Sequence, residues 1–394
     1  MLSQRVLGLF LLVTQLAASY LTNDDVDAAL ACQSSVASPI ASLTPGAFAT
    51  NAFFSCFRNE SETIAFMDAM AARVAKNVVT KSEVATSYLG RPIVGYKLSP
   101  PGASPHAMYV QGLLHAREWV SSMAVVYHAA ILLDAIVSKT STTPYTWYMV
   151  PIVNVDGFQQ TWTTPERYRR KNMRPVPVNF PSIPNQAEAG VDLNRNWGPL
   201  DKFNLDNVTK FDLTYPGTAP FSEPEVLGLH TWFQAHTEIV GYLDMHSYAG
   251  MVLTPYGDSN ETLPAPYASR YDALGKTVQA AVANATGTAY DAKPEWYLYL
   301  SYGTFQDYIF RTYQKAAITF ELHGDDFIVP ASTIALRCRE AHAALTAFAS
   351  NVPAFYDGLA LPVTSTTKSV AATARLSPLL LAIACLFYSL GLFR

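Results

Sequence analysis

The chain is expected to fold as a single α/β domain, with a central mixed, mostly parallel, twisted sheet flanked by helices on both faces. Three observations point there. Short apolar runs with β-branched residues alternate with longer stretches of helical apolar spacing between about residues 60 and 352. Half of the 394 residues are hydrophobic and only 15% are charged, enough for one sizeable core. No internal repeat and no low-complexity block interrupts the middle.

Taken in order, 108–114 reads as a buried strand and 118–136 as a helix. Runs 147–153 and 239–245 are short strands. Segment 222–236 reads as a helix opened by an S-x-x-E capping box from Ser222 and Glu225. A further strand is expected at 316–320 and a further helix at 331–349. The connections near 170–220 are long and rich in Pro and Asn, the kind of loop that is functional or disordered.

The two ends differ from the middle. Residues 1–19 carry Arg5, an apolar run and small residues, the layout of a secretory signal peptide cleaved near Ser19. Residues 20–57 are too short for an independent prodomain and read as a mobile leader, tied down if a disulfide forms within it. A Ser/Thr-rich stalk is expected at 353–375 and an apolar tail at 376–394, either a GPI signal or a tail anchor. Ser365 and Ser369 are both candidate lipid sites. Sequons at Asn59, Asn207, Asn260 and Asn284 fit a protein that is secreted or tethered to the outer cell surface. A net charge of −4 gives no reason to expect nucleic acid, and a monomer is expected. Cys385 lies in the tail, leaving three cysteines; Cys32–Cys56 is the expected bridge for its short loop, with Cys56–Cys338 the rival.

The segment Gly112-Leu-Leu-His115-Ala-Arg-Glu118-Trp carries the first chemistry. His and Glu three apart at a helix start would aim at one point. Imidazole and carboxylate both suit zinc, and catalytic zinc takes three protein ligands plus water. Alone, H-x-x-E is more often a solvated pair. A third ligand is available at Asp244-Met-His246-Ser-Tyr, which closes another apolar strand. Ligand sites in open α/β sheets lie beyond strand C-termini, so the two segments can meet there. The other six histidines have no flanking motif that recruits them, or lie on expected helices.

These residues resemble the A/B-type zinc metallocarboxypeptidases, or funnelins, across about 58–352. The resemblance rests on ordered blocks: HAREW at 115–119, PIVNVDGF at 151–158, RYRRKN at 167–172, GVDLNRNW at 190–197, HSY at 246–248 and TFEL at 319–322. It implies one Zn²⁺ per chain held by His115, Glu118 and His246, with Asp192 fixing the His115 imidazole. It implies a peptide or protein C-terminus as substrate. Asn194 and Arg195 would hold its carboxylate, as a guanidinium fork suits. Arg170 would stabilise the scissile oxyanion and Arg117 would contact the peptide further in. Glu321 would be the general base acting on water activated by the metal. Tyr299 would cover bound substrate, although Tyr297 and Tyr302 stand close in sequence.

By the same resemblance, Gln306 would take the family's floor position in the pocket for the last side chain, with Thr304, Phe305, Leu253, Gly257 and Thr319 around it. An amide there implies neutral or hydrophobic ends. Three features depart from the family: a short loop after Glu321, no long prodomain, and no cysteines matching the family's common disulfide. Two other classes stay open: a zinc amidohydrolase of acyl-amino acids, and a non-catalytic surface-binding protein on the same fold.

Overall fold

The computed structural model describes residues 24–140, 143–163, 166–175, 189–206, 208–210 and 212–359. The expected signal peptide, the apolar tail, most of the stalk and the Asn207 sequon lie outside the described residues. The described strands are β1 (Val79–Thr86), β2 (Pro92–Leu98), β3 (Ala107–Gly112), β4 (Thr146–Val150), β5 (Ile239–Thr254), β6 (Asp291–Pro294) and β7 (Ala316–His323). The helices are α1 (Asp24–Ser35), α2 (Glu60–Ala71), α3 (Trp119–Val137), α4 (Val155–Thr161), α5 (Pro224–Ala235), α6 (Tyr267–Thr286), α7 (Phe305–Tyr313) and α8 (Ile334–Phe355).

The sheet runs β1-β2-β4-β3-β5-β6, with β7 also paired to β5. β1 pairs with β2, and β2 with β4, antiparallel; the β4–β3, β3–β5, β5–β6 and β5–β7 pairings are parallel. The expected mixed, mostly parallel α/β sheet is therefore present. Every residue of β3 and β4 is buried, which is why both read as unbroken apolar runs. β1, like β2 and β6, was not anticipated. Its sequence VTKSEVAT is polar because it lies at the sheet edge, where charges discourage further pairing. α3 is apolar enough to cross a membrane, but two-thirds of its most apolar window is buried in this core.

Residues 24–57 are not a mobile leader. Val26 and Ala29 of α1, followed by Leu43, Phe48 and Phe53, are buried in the core. The Asp134 carboxylate of α3 accepts from the Phe48 and Ala49 amides at 2.8 and 2.9 Å. Cys32 and Cys56 form the expected disulfide, with Cα atoms 5.8 Å apart, and Cys338 is a buried free thiol. Apolar residues outside the recognised blocks supply this packing, which the spacing of motifs does not reveal.

The expected capping box at Ser222 and Glu225 does not form. Glu223 is the cap residue of α5 and makes no side-chain cap bond. Glu225 turns inward instead, accepting from the Tyr88 amide at 2.9 Å. Glu223 accepts from Asn172 at 2.6 Å and Arg174 at 2.7 Å. Both carboxylates are recruited to hold the chain that leads out of Arg170.

Lys315 precedes β7 and is buried, its ammonium donating to Thr237 O at 3.0 Å. Burial pushes its pKa from 10.5 down to about 8, with Glu238 opposing. Between those values the unfolded chain binds more protons than the folded one, so stability rises with pH across that window. Lys315→Met is expected to raise stability at pH 7 by about 1–3 kcal/mol, an advantage that shrinks towards pH 10. Denaturant melts at the two pH values check this.

Candidate metal centre and substrate site

The chain passes from β3 to β4 on one side of the sheet, while β5 lies on the other side of β3. Strand order thus reverses between β3 and β5, and the crevice beyond their C-terminal ends is the ligand position in such sheets. Gly112 ends β3 there. A Cβ on it would meet Ser121 O at 3.0 Å and Pro151 O at 3.2 Å, so glycine lets α3 start hard against the strand. Ser121 Oγ donates to Glu118 O at 2.8 Å and accepts from the Leu113 amide at 2.9 Å, fixing the turn.

His115 and Glu118 lie in this turn, Glu118 being the residue before α3 with φ −92° and ψ 59°. They precede the helix rather than sitting on its first turn as expected. The Glu118 side chain caps nothing and is free to face inward. His115 Nδ1 is 2.8 Å from Glu118 Oε1, and His246 Nδ1, from β5, is 2.8 Å from Glu118 Oε2. The candidate ligand atoms of the three residues all lie within 4.8 Å of one another, and all three residues are buried.

The outer nitrogens explain the fit to a metal. His115 Nε2 donates to Asp192 Oδ1 at 3.1 Å, and His246 Nε2 donates to Asp244 Oδ2 at 2.8 Å. With the outer nitrogen as donor, the neutral form of each imidazole keeps its Nδ1 lone pair on the side where the Glu118 carboxylate lies. Converging acceptors need a cation between them, and two imidazoles plus a carboxylate form a zinc donor set. Asp244 was quoted in the sequence motif without a role. Its signal was the i, i+2 spacing, which places Asp244 and His246 on one strand face.

Asp192 accepts from Arg170 Nε at 2.8 Å and from the Asn194 amide at 2.9 Å. Burial would raise its carboxyl, but Arg170 and His115 outweigh it and hold it well below the usual range. Arg170 and Arg195 are both buried. Arg195 donates to Tyr299 Oη at 2.9 Å, whereas Tyr297 lies beside Lys293, 5.3 Å from ring centroid to ammonium. Tyr299 is exposed, so the site arginine singles it out from its neighbours. Arg117 lies over the Phe327 ring at 3.7 Å and donates to Tyr168 O at 3.4 Å.

Glu321, in β7, stands opposite His246 in the β5–β7 register. It is partly exposed, and its Oε2 accepts weakly from the Ala249 amide at 3.4 Å. The surrounding protein pushes its carboxyl up to about 7; His246 opposes this and Glu118 adds to it.

Gln306 is fully buried in α7 and accepts from Thr319 Oγ1 at 2.9 Å. Phe305 does not line the pocket with it. Its ring packs against Tyr109, Trp197, Phe233 and Tyr242 in the core, because successive helix positions point about 100° apart. Its amide does serve the site, donating to Asn194 Oδ1 at 2.9 Å. Glu295, buried beside Gly257, was missed altogether, since nothing in its local sequence marks it.

A mixed sheet with a buried His–Glu–His donor set at its strand-order reversal is a scaffold suited to zinc. The chain belongs to the zinc carboxypeptidase family, whose model (Peptidase_M14) matches residues 63–344. It is similar to carboxypeptidase A1 of Mus musculus, 27% identical over 313 residues that cover 76% of this chain and 71% of that one. It is 30% identical over 234 residues to a Schizosaccharomyces pombe protein named inactive metallocarboxypeptidase ecm14, covering 55% of this chain and 44% of that one. Bovine thrombin-activatable fibrinolysis inhibitor, solved with tick carboxypeptidase inhibitor, matches with a TM-score of 0.66 and 26% identity. That match covers 77% of this chain and 99% of the solved one. The expected fold and family are both borne out.

Proposed function

We propose that the protein is a zinc-dependent exopeptidase that hydrolyses the C-terminal peptide bond of peptides and proteins. The convergence of His115, Glu118 and His246, with Glu321 opposite His246 on the next strand, carries this reading. Zinc held by the three residues would supply Lewis acidity towards a carbonyl and a lowered pKa for water. Glu321 takes the proton of the attacking water as the new C–O bond forms. It returns that proton to the amine as the C–N bond breaks. Arg170, fixed by Asp192, donates to the scissile oxygen as its negative charge grows. Asn194 and Arg195 hold the terminal carboxylate, Tyr299 swings over it, and Arg117 meets the peptide further in. An extracellular setting belongs to this reading. It is supported by the sequence ends and by the Cys32–Cys56 bridge, since disulfides persist in oxidising compartments.

The test compares a tripeptide with an acyl-amino acid, with and without chelator. Release of the last tripeptide residue, lost by at least about 100-fold on chelation and restored by zinc, is expected. Cleavage of the acyl-amino acid alone would point to an amidohydrolase. Bound zinc without turnover of either would point to a binding protein, as the name of the inactive relative makes worth measuring.

A further inference from the structure

Glu295 opens a short 3-10 turn (Glu295–Tyr297) after β6 and is only 7% exposed. Its Oε1 accepts from Ser301 Oγ at 2.8 Å, while Oε2 has no hydrogen-bond partner among the described residues. A Cβ on Gly257 would stand 2.7 Å from that Oε2 and 3.0 Å from Ser301 Oγ. The missing side chain of Gly257 is therefore the space in which the carboxylate sits. Asp307 flanks the same glycine, its Oδ2 accepting from the Gly257 and Asp258 amides at 2.8 and 3.1 Å; its Oδ1 is unpartnered. The buried Thr304 hydroxyl faces Glu295, and Gln306 Nε2 is buried without a partner among the described residues. Asp258 is not available, being paired with Arg311.

This wall adjoins the substrate site. Thr304 and Gln306 flank Phe305, whose amide is bound to Asn194, and Glu295 lies within electrostatic reach of Arg195 and His246. Buried polar atoms left unpaired are costly, and the open oxygens of the two carboxylates that flank Gly257, Glu295 Oε2 and Asp307 Oδ1, leave room for a donor from outside the chain. Burial pushes the Glu295 and Asp307 carboxyls up; for Asp307, Glu295 and Asp258 add to the effect. A cation between them would relieve this. Ammonium and guanidinium groups donate only, and Gln306 can turn its amide oxygen inward while its nitrogen donates to Thr319.

We propose that the pocket takes a basic last residue, lysine or arginine, with Glu295 as its charge partner, which the missing side chain of Gly257 allows to stand in the pocket wall. This rests on the exopeptidase reading above. It replaces the expectation of neutral or hydrophobic ends, which weighed Gln306 alone.

The zinc-loaded full chain is assayed on peptides differing only in a final Arg, Lys, Phe or Leu. The basic ends are expected to exceed the apolar ones in kcat/KM by about 30-fold or more. Glu295→Gln should reduce that ratio by a similar factor, chiefly through KM. An Arg-to-Phe ratio at or below one in the unaltered chain overturns the proposal. So does an unchanged ratio in folded, zinc-bearing Glu295→Gln. Calorimetry with a guanidinium-bearing succinate inhibitor and its benzyl counterpart reads the pocket without turnover, and tighter binding of the benzyl compound would also overturn it. Failure to cleave any of the four peptides would sink the exopeptidase reading, leaving calorimetry to judge the pocket.

Discussion

Replacing Glu321 with glutamine is expected to lower kcat by about 10²–10⁴-fold, the usual contribution of a general base. Zinc content should stay at that of the unaltered chain, because Glu321 is not among the three converging ligands. Glutamine has nearly the same shape but cannot accept the proton. KM should move little, since the carboxylate is asked to act on water rather than to hold the substrate. The position supports the role: β7 places Glu321 beside His246 in the register, and among the described residues its carboxylate accepts just the weak bond from the Ala249 amide. A carboxylate built in for structure would instead be saturated with partners, as Asp192 is. Steady-state kinetics with metal analysis decide the matter. Turnover within about threefold of the unaltered chain would remove Glu321 from the chemistry, well short of the loss a general base implies.

The second large effect is expected at Asp192. Its carboxylate holds His115 Nε2, Arg170 Nε and the Asn194 amide together. Asp192→Ala leaves Arg170 buried without its ion-pair partner, a loss of about 3–5 kcal/mol of stability. It also frees the His115 ring, so zinc affinity should fall by about 10–100-fold. Asp192→Asn keeps the shape and a hydrogen-bonding oxygen but not the charge, and should fall between. Denaturant melts and a zinc titration against a competing chelator measure the two parts separately. Unchanged zinc affinity in the alanine variant would mean that His115 is oriented by the backbone alone.

Much of this site was legible because its chemistry is local. His115 and Glu118 share one tight turn, and Asp192, Asn194 and Arg195 share another. Short motifs can encode short turns. The strands β3, β4 and β7 were legible for a different reason: being buried on both faces, they show as apolar runs wherever they lie in the fold. Edge strand β1 was hidden because an edge tolerates charge, and the 24–57 segment because its partners lie far along the chain: Arg167 meets Asp25, and Asp134 of α3 holds the Phe48 amide.

By itself the sequence determined β3, β4, β7 and the start of β5, which show as apolar runs, and, through ordered blocks that resemble a known family, the three residues that converge as candidate metal ligands. Only the tertiary structure decided what surrounds them. It turned Glu225 away from its helix cap, sent the Phe305 ring into the aromatic core, and placed Glu295 against a glycine 38 positions earlier. A side chain's charge can be read from its letter. Whether that charge is solvated, paired or left facing a pocket depends on segments that only the folded chain brings together.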